Sequence, residues 1–154
     1  MKDRGFTFIE MVIVTAIVGI LASAVLPLAR VTIQRNREIE LRRSLREIRT
    51  AIDKYHDAIE QNLISANDID NDAEGYPPNL QVLVDGVTPA NDTTGRKLRY
   101  LRRIPRDPMT RSAEWGLRST RDDPDARSWS GQNVFDIYTK SSGKALDGTN
   151  YRDW

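Results

Sequence analysis

The chain has 154 residues, enough for one modest domain plus an accessory segment. Its 23 Lys and Arg against 22 Asp and Glu leave a net charge of +1, so bulk charge makes no case for nucleic-acid binding. The absence of cysteine excludes disulfides, thiolate metal sites and a cysteine nucleophile.

The apolar residues are unevenly spread, and the densest run comes first. Residues 11–29 carry no charge, and 19 helical residues span roughly 28 Å, close to a bilayer core. Upstream, Met1-Lys2-Asp3-Arg4-Gly5 is short and polar, and Glu10 is the one charge in the apolar stretch that begins at Phe6. Three readings compete: a secretory signal peptide cut after Ala22-Ser23-Ala24, a plain membrane anchor, and a short leader cut after Gly5. Glu10 separates them. A carboxylate inside an apolar helix costs about 3 kcal/mol, and neither a signal peptide nor a plain anchor has a use for it.

Gly5-Phe6-Thr7-Phe8-Ile9-Glu10 resembles the processing motif of type IV pilins and pseudopilins. The resemblance implies that a prepilin peptidase cuts between Gly5 and Phe6, that Phe6 is then N-methylated, and that Glu10 serves assembly as the fifth residue of the mature chain. Gly19 and Pro27 fall where the family weakens its helix, so they are the expected hinge. Proline at 27 also removes a donor to the Ser23 carbonyl, which predicts a kink or melted turn just before it. The expected location is the bacterial inner membrane, single pass, with the head in the periplasm. That orientation comes from the resemblance, because Lys2 and Arg4 are outweighed by Arg30, Arg35 and Arg37 on the far flank.

Beyond the apolar run the sequence turns amphipathic. Leu41, Leu45, Ile48, Ile52, Tyr55, Ile59 and Leu63 recur at helical steps of three and four, which places them on one face. No glycine or proline interrupts between Pro27 and Gly75, and the helix is expected to end near Asn62. Arg30, Arg35, Arg37, Arg42, Arg43, Arg46 and Arg49 outnumber Glu38, Glu40 and Glu47. A solvated face with pairs such as Glu38–Arg42 accounts for most of them, with acidic neighbours as an alternative and a lipid headgroup for Arg30.

Residues 63–75 read as a solvated connector. Asp68, Asp70, Asp72 and Glu74 alternate there, but Ala73 and Asn79 break the EF-hand pattern. Pro78 suits the first turn of a short helix carrying Leu80 and Leu83. Residues 115–117 and 134–139 read as short strands, with Phe135 and Ile137 on one face. The expected fold is α+β: a long N-terminal helix, half transmembrane and half amphipathic, packed on a small antiparallel sheet. Its divisions are a leader (1–5), a stem (6–29), the amphipathic half of the helix (30–62) and a globular head (63–154).

The order Tyr76-Pro77, Tyr100-Leu101, Pro105-Arg106-Asp107-Pro108, the strand through Phe135 and Ile137, and Trp154 resembles the major pseudopilin of the type II secretion system. That resemblance implies a structural subunit of a periplasmic pseudopilus. Its implied partners are other copies of itself, the prepilin peptidase and methyltransferase, minor pseudopilins, an inner-membrane assembly platform and lipid. A type IV pilus pilin is the alternative, and a membrane-anchored periplasmic binding protein is a third reading that Glu10 opposes. The family holds calcium in its C-terminal loop. Here Lys140 and Lys144 intrude and only Asp147, Thr149, Asn150 and Asp153 offer oxygens, so calcium and a simple turn at Asp147-Gly148 both stay open. No other cofactor or metal is expected. His56 is the only histidine, and no hydrolase, zinc or phosphate-loop motif occurs, so the chain reads as a substrate of enzymes and not as one.

Overall fold

A computed structural model describes residues 5–91 and 94–154, except for the side chains of residues 24–28. Two compact units make up the chain, Met1–Asn36 and Arg37–Trp154, and helix α1 (Phe8–Glu60) passes through both. The side chain of the expected hinge residue Pro27, with those of the other residues of 24–28, lies outside the described residues. At its start, α1 is capped by Thr7, whose Oγ1 accepts from the Glu10 amide at 3.3 Å.

The helix stops through its own chemistry. Asn62 takes the left-handed conformation, φ 54°. The Asn62 amide donates to the Ile59 carbonyl and the Leu63 amide to the Ala58 carbonyl, at 2.9 and 2.8 Å. That pair of reversed bonds is a Schellman ending, with asparagine in the place glycine usually takes. It corrects one expectation. Leu63 leaves the helical phase and is 49% exposed, while Ile64 turns in and is buried.

The core of the second unit forms on the amphipathic face of α1. Leu41, Leu45, Ile48, Ile52 and Tyr55 are buried against Leu83, Leu101, Trp115, Val134 and Ile137. Each such side chain contributes on the order of 1.5–3 kcal/mol by leaving water. Helix α2 (Leu80–Asp85) supplies Leu83. It begins two residues later than Pro78 would set it, because Asn79 caps it by accepting from the Val82 amide at 3.1 Å. Gly86 ends it at φ +79°, where a Cβ would stand 2.6 Å from the Leu98 carbonyl oxygen.

Strands β1 (Gly116–Arg118) and β2 (Asp136–Tyr138) pair antiparallel, with Leu117 opposite Ile137. The result is the α+β, pilin-like arrangement of a long amino-terminal helix and a small antiparallel sheet. The second strand is shorter than its sequence pattern, and the expected shared face fails. Val134 donates to the Pro77 carbonyl at 2.8 Å, outside the ladder. Phe135 is therefore out of step with Ile137. It is 48% exposed and lies edge-on to Tyr76, whereas Val134 and Ile137 are fully buried.

The connector is more ordered than a solvated loop. It contains 3₁₀ turns at Ala66–Asp68 and Asn71–Ala73. Buried Asn133 pins it, donating to the Ala73 carbonyl at 3.0 Å while accepting from the Thr120 amide at 3.1 Å. His56 closes the other side, with Nδ1 3.0 Å from the Gly75 carbonyl oxygen and its ring stacked on Tyr76.

Candidate assembly surface and the C-terminal loop

Gly5, Phe6 and Glu10 sit together at the entry to α1. Gly5 and Phe6 are exposed residues just ahead of the helix, and Glu10 is exposed in its first turn. Thr7 and Glu10 stand in the capping-box spacing, threonine at the cap and glutamate three residues on. Glu10 thus has a local use, since an acid in the first turn also complements the helix dipole. The T-x-x-E spacing was visible in the sequence but masked by the stronger apolar signal.

Along the first unit the large apolar side chains from Phe6 to Leu21 are 46–85% exposed. The polar groups among them are turned back onto the helix. Thr15 Oγ1 donates to the Met11 carbonyl and Ser23 Oγ to the Ile20 carbonyl, both at 2.7 Å. Hydroxyls satisfied in this way leave the exposed Glu10 carboxylate as the group on this surface that still seeks a partner. Among the described residues, no atom outside the neighbouring helix backbone lies within 4 Å of where a Cβ on Gly19 would stand. Among the described residues no helix is long and apolar enough to cross a membrane. The apolar run of residues 11–29 includes 24–28, whose side chains lie outside the described residues.

In the second unit, two arginines of α1 hold the C-terminal loop. Arg49 Nε donates to Asp136 Oδ1 at 2.7 Å, and its Nη2 reaches Asp136 Oδ2, the Ile137 carbonyl and the Trp154 carbonyl at 3.3, 3.1 and 2.9 Å. Arg42 stands 3.6 Å from Asp147 Oδ2, and its guanidinium lies 4.0 Å over the Trp154 ring. Glu38 accepts from the Leu146 amide and the Tyr151 hydroxyl, each at 2.9 Å. Nothing in sequence spacing announces these links, because the partners lie about a hundred residues apart.

Of the loop oxygens proposed for calcium, those of Asp147, Thr149 and Asp153 already accept hydrogen bonds. Asp147 Oδ1 accepts from the Thr149 amide and hydroxyl at 3.0 and 2.6 Å. Those bonds, with Arg42 adding, hold the Asp147 carboxyl below the usual carboxylate range. Trp154 Nε1 donates to Thr149 Oγ1, and Asn150 Nδ2 to Asp153 Oδ2, both at 2.8 Å. Among the described residues no group of three or more His, Asp or Glu side chains is placed to hold a metal ion.

Residues 1–26 fit the family model described as the prokaryotic N-terminal methylation motif. No curated protein and no solved structure matches the chain. The motif lies over the helix entry and the exposed apolar face just described. Over residues 1–26, then, the chain carries the amino-terminal signature typical of type IV pilin-like proteins, a signature of structural subunits that implies processing by a prepilin peptidase and assembly into filaments.

Proposed function

We propose that the chain is a structural subunit of a periplasmic pseudopilus, assembled by its N-terminal helix and serving protein export in a type II secretion system. The observation that carries this reading is the methylation motif lying on a helix whose apolar side chains stay exposed. Residues 1–5 are the leader and 6–29 the stem, which sits in the inner membrane before assembly. The head, residues 63–154, is periplasmic and packs on the amphipathic face of the helix from Leu41 to Tyr55. Gly19 and Pro27 form the hinge of the stem. Minor pseudopilins and an inner-membrane assembly platform are its further partners.

Cleavage after Gly5 frees a positive amine at Phe6, just ahead of the helix and four residues before Glu10. Methylation keeps that amine charged. When apolar stems pack and exclude water, a lone Glu10 carboxylate is costly, and a neighbour's amine is its natural partner. Each incoming subunit is then held at the level where carboxylate meets amine, which sets the axial register. The order of motifs from Tyr76-Pro77 to Trp154 favours a pseudopilin over a pilus-forming pilin.

The C-terminal loop does not fit calcium in this reading. Calcium takes six to eight oxygens, whereas the loop's carboxylates already accept protein hydrogen bonds and a guanidinium stands beside Asp147. Arg42 and Arg49 supply the positive charge.

Intact-mass analysis of the membrane-extracted protein tests the processing step. The expected mass lacks residues 1–5 and gains one methyl group, and a mature chain starting at Val25 would overturn the reading. Deletion of the gene separates the two systems: lost export with intact surface pili supports the pseudopilus, and the reverse result removes it.

A further inference from the structure

Charge is segregated along this chain far beyond what its net +1 conveys. Residues 55–95 hold eight Asp and Glu and no Lys or Arg, while residues 96–106 hold six Lys and Arg and no acid. In the second unit the basic segment lies beside α1, forming two adjoining grooves of about 810 and 740 Å³ that share Arg43 and Glu47. Arg43, Arg46, Lys54, Arg102, Arg103 and Arg106 line them, opposed only by Glu40 and Glu47, six positive charges against two negative.

All six bases are exposed, and among the described residues none forms an ion pair. The chain does pair its arginines elsewhere: Arg42, Arg49, Arg118 and Arg121 each meet a carboxylate. Six like charges gathered around one groove repel each other, so their collection favours an anionic partner from outside. Ile39, 62% exposed, adds an apolar contact at the groove.

The matching surface is on the same chain. Asp57, Asp70 and Asp72 are exposed at the end of α1 and on the connector, with no base paired to them among the described residues. From Arg43 to Asp57 is 14 residues, about 21 Å along the helix. We propose that the basic groove docks the acidic connector of a second copy of this chain, displaced by about 20 Å along the helix axis. Groove and connector are different surfaces of one molecule, so the contact is heterologous and propagates without closing. It rests on the filament reading and gives the heads a contact of their own. A phosphate polymer fits less well, because Glu40 and Glu47 line the same groove.

The chain has no cysteine, so introduced ones report cleanly. Full-length copies carrying Thr50→Cys, in the groove, and Asn71→Cys, in the connector, are co-expressed in the membrane and treated with a short bismaleimide. Copy-to-copy crosslinking is expected, weakened at 0.5 M NaCl because these charges are exposed to screening. Reversing the groove with Arg102→Glu and Arg103→Glu, or the connector with Asp57→Lys and Asp72→Lys, should lower the yield on the order of tenfold. Both reversals together should restore it. The milder Arg102→Gln with Arg103→Gln should lower it less, which guards against a fold effect.

A stem pair at Ile13→Cys reports filament packing separately. Head crosslinks absent in the otherwise wild-type chain, or indifferent to reversal, overturn the docking proposal while persisting stem crosslinks leave the filament reading standing. Absence of both overturns both. Groove reversal that abolishes DNA binding and leaves the head crosslink unchanged would assign the groove to nucleic acid and refute the proposal.

Discussion

Arg49 joins three parts of the second unit that are far apart in sequence: α1, β2 and Trp154. Its Nη2 carries two hydrogens and faces three acceptors, so one hydrogen is shared. Arg49→Met keeps the apolar length of the side chain and removes all four bonds. Asp136 then retains only Arg118, at 3.6 Å, and two carbonyls lose a charged donor. A hydrogen bond to a charged group contributes about 1.5–3 kcal/mol. The Arg49 and Asp136 side chains are 36% and 27% exposed, so water makes good part of the loss. The net cost is about 2–3 kcal/mol for the whole cluster. In a unit of this size each kcal/mol moves Tm by about 3–5 °C, so Arg49→Met should lower Tm by roughly 6–15 °C. Arg49→Lys should recover only part, since one ammonium cannot span a carboxylate and two carbonyls with the fixed fork of a guanidinium. Thermal unfolding of the full-length protein in detergent, followed by near-UV circular dichroism of Trp115, Trp129 and Trp154, reads the effect. A Tm within about 2 °C of the parent for Arg49→Met would show that the cluster is decorative and that the loop is held by packing alone.

Asn133→Ala should cost about 2–4 kcal/mol in the same assay, because the Thr120 amide and the Ala73 carbonyl lose their buried partner; a loss below about 0.5 kcal/mol would mean that water replaces it. Asp68, Glu74, Asp122 and Asp147 are held below the usual carboxylate range, chiefly by the Thr88 amide, the Thr120 hydroxyl, the Ser119 amide and the Thr149 hydroxyl. Their folded values lie under the unfolded ones, so the stability they add is complete above about pH 5 and is lost as pH falls through the folded values. Tm should be level from pH 7 to about 5 and drop modestly below about 4; a Tm that rises on acidification contradicts the sign. Chelation with EDTA should leave Tm and the susceptibility of the C-terminal loop to proteolysis unchanged, and a protective effect of added calcium would overturn the arginine-held loop. Glu10→Ala should spare leader cleavage but abolish or slow stem crosslinking, with Glu10→Gln milder; normal crosslinking and filament yield in Glu10→Ala would leave only the capping role.

The long helix was legible because its pattern is local. Leu41 to Tyr55 repeat at helical spacing, and every member of that set is buried. The phase failed where a short backbone device intervened. The helix end near Asn62 was legible, but not the left-handed turn there that moves Leu63 out and Ile64 in. The strand face failed similarly, since the bond from Val134 to Pro77 depends on a segment 57 residues upstream. The amino-terminal motif was fully legible, being contiguous. The groove was not, because Arg43 and Arg102 are distant in sequence and line it together only in the folded chain. Charge segregation between residues 55–95 and 96–106 was its one available signal.

The cap at Thr7 also bears on timing. Both Thr7 and Glu10 lie downstream of the Gly5–Phe6 bond, so the groups that start the helix all survive a cut there. A precursor and its trimmed product share one helical beginning. On the proposed reading, trimming replaces the charges of Lys2, Asp3 and Arg4 with a single amine at Phe6 without asking the backbone to rewind. If the chain is the pseudopilus subunit proposed above, it waits in the bilayer with its helix already begun, and its release for incorporation is a matter of chemistry at a single amine.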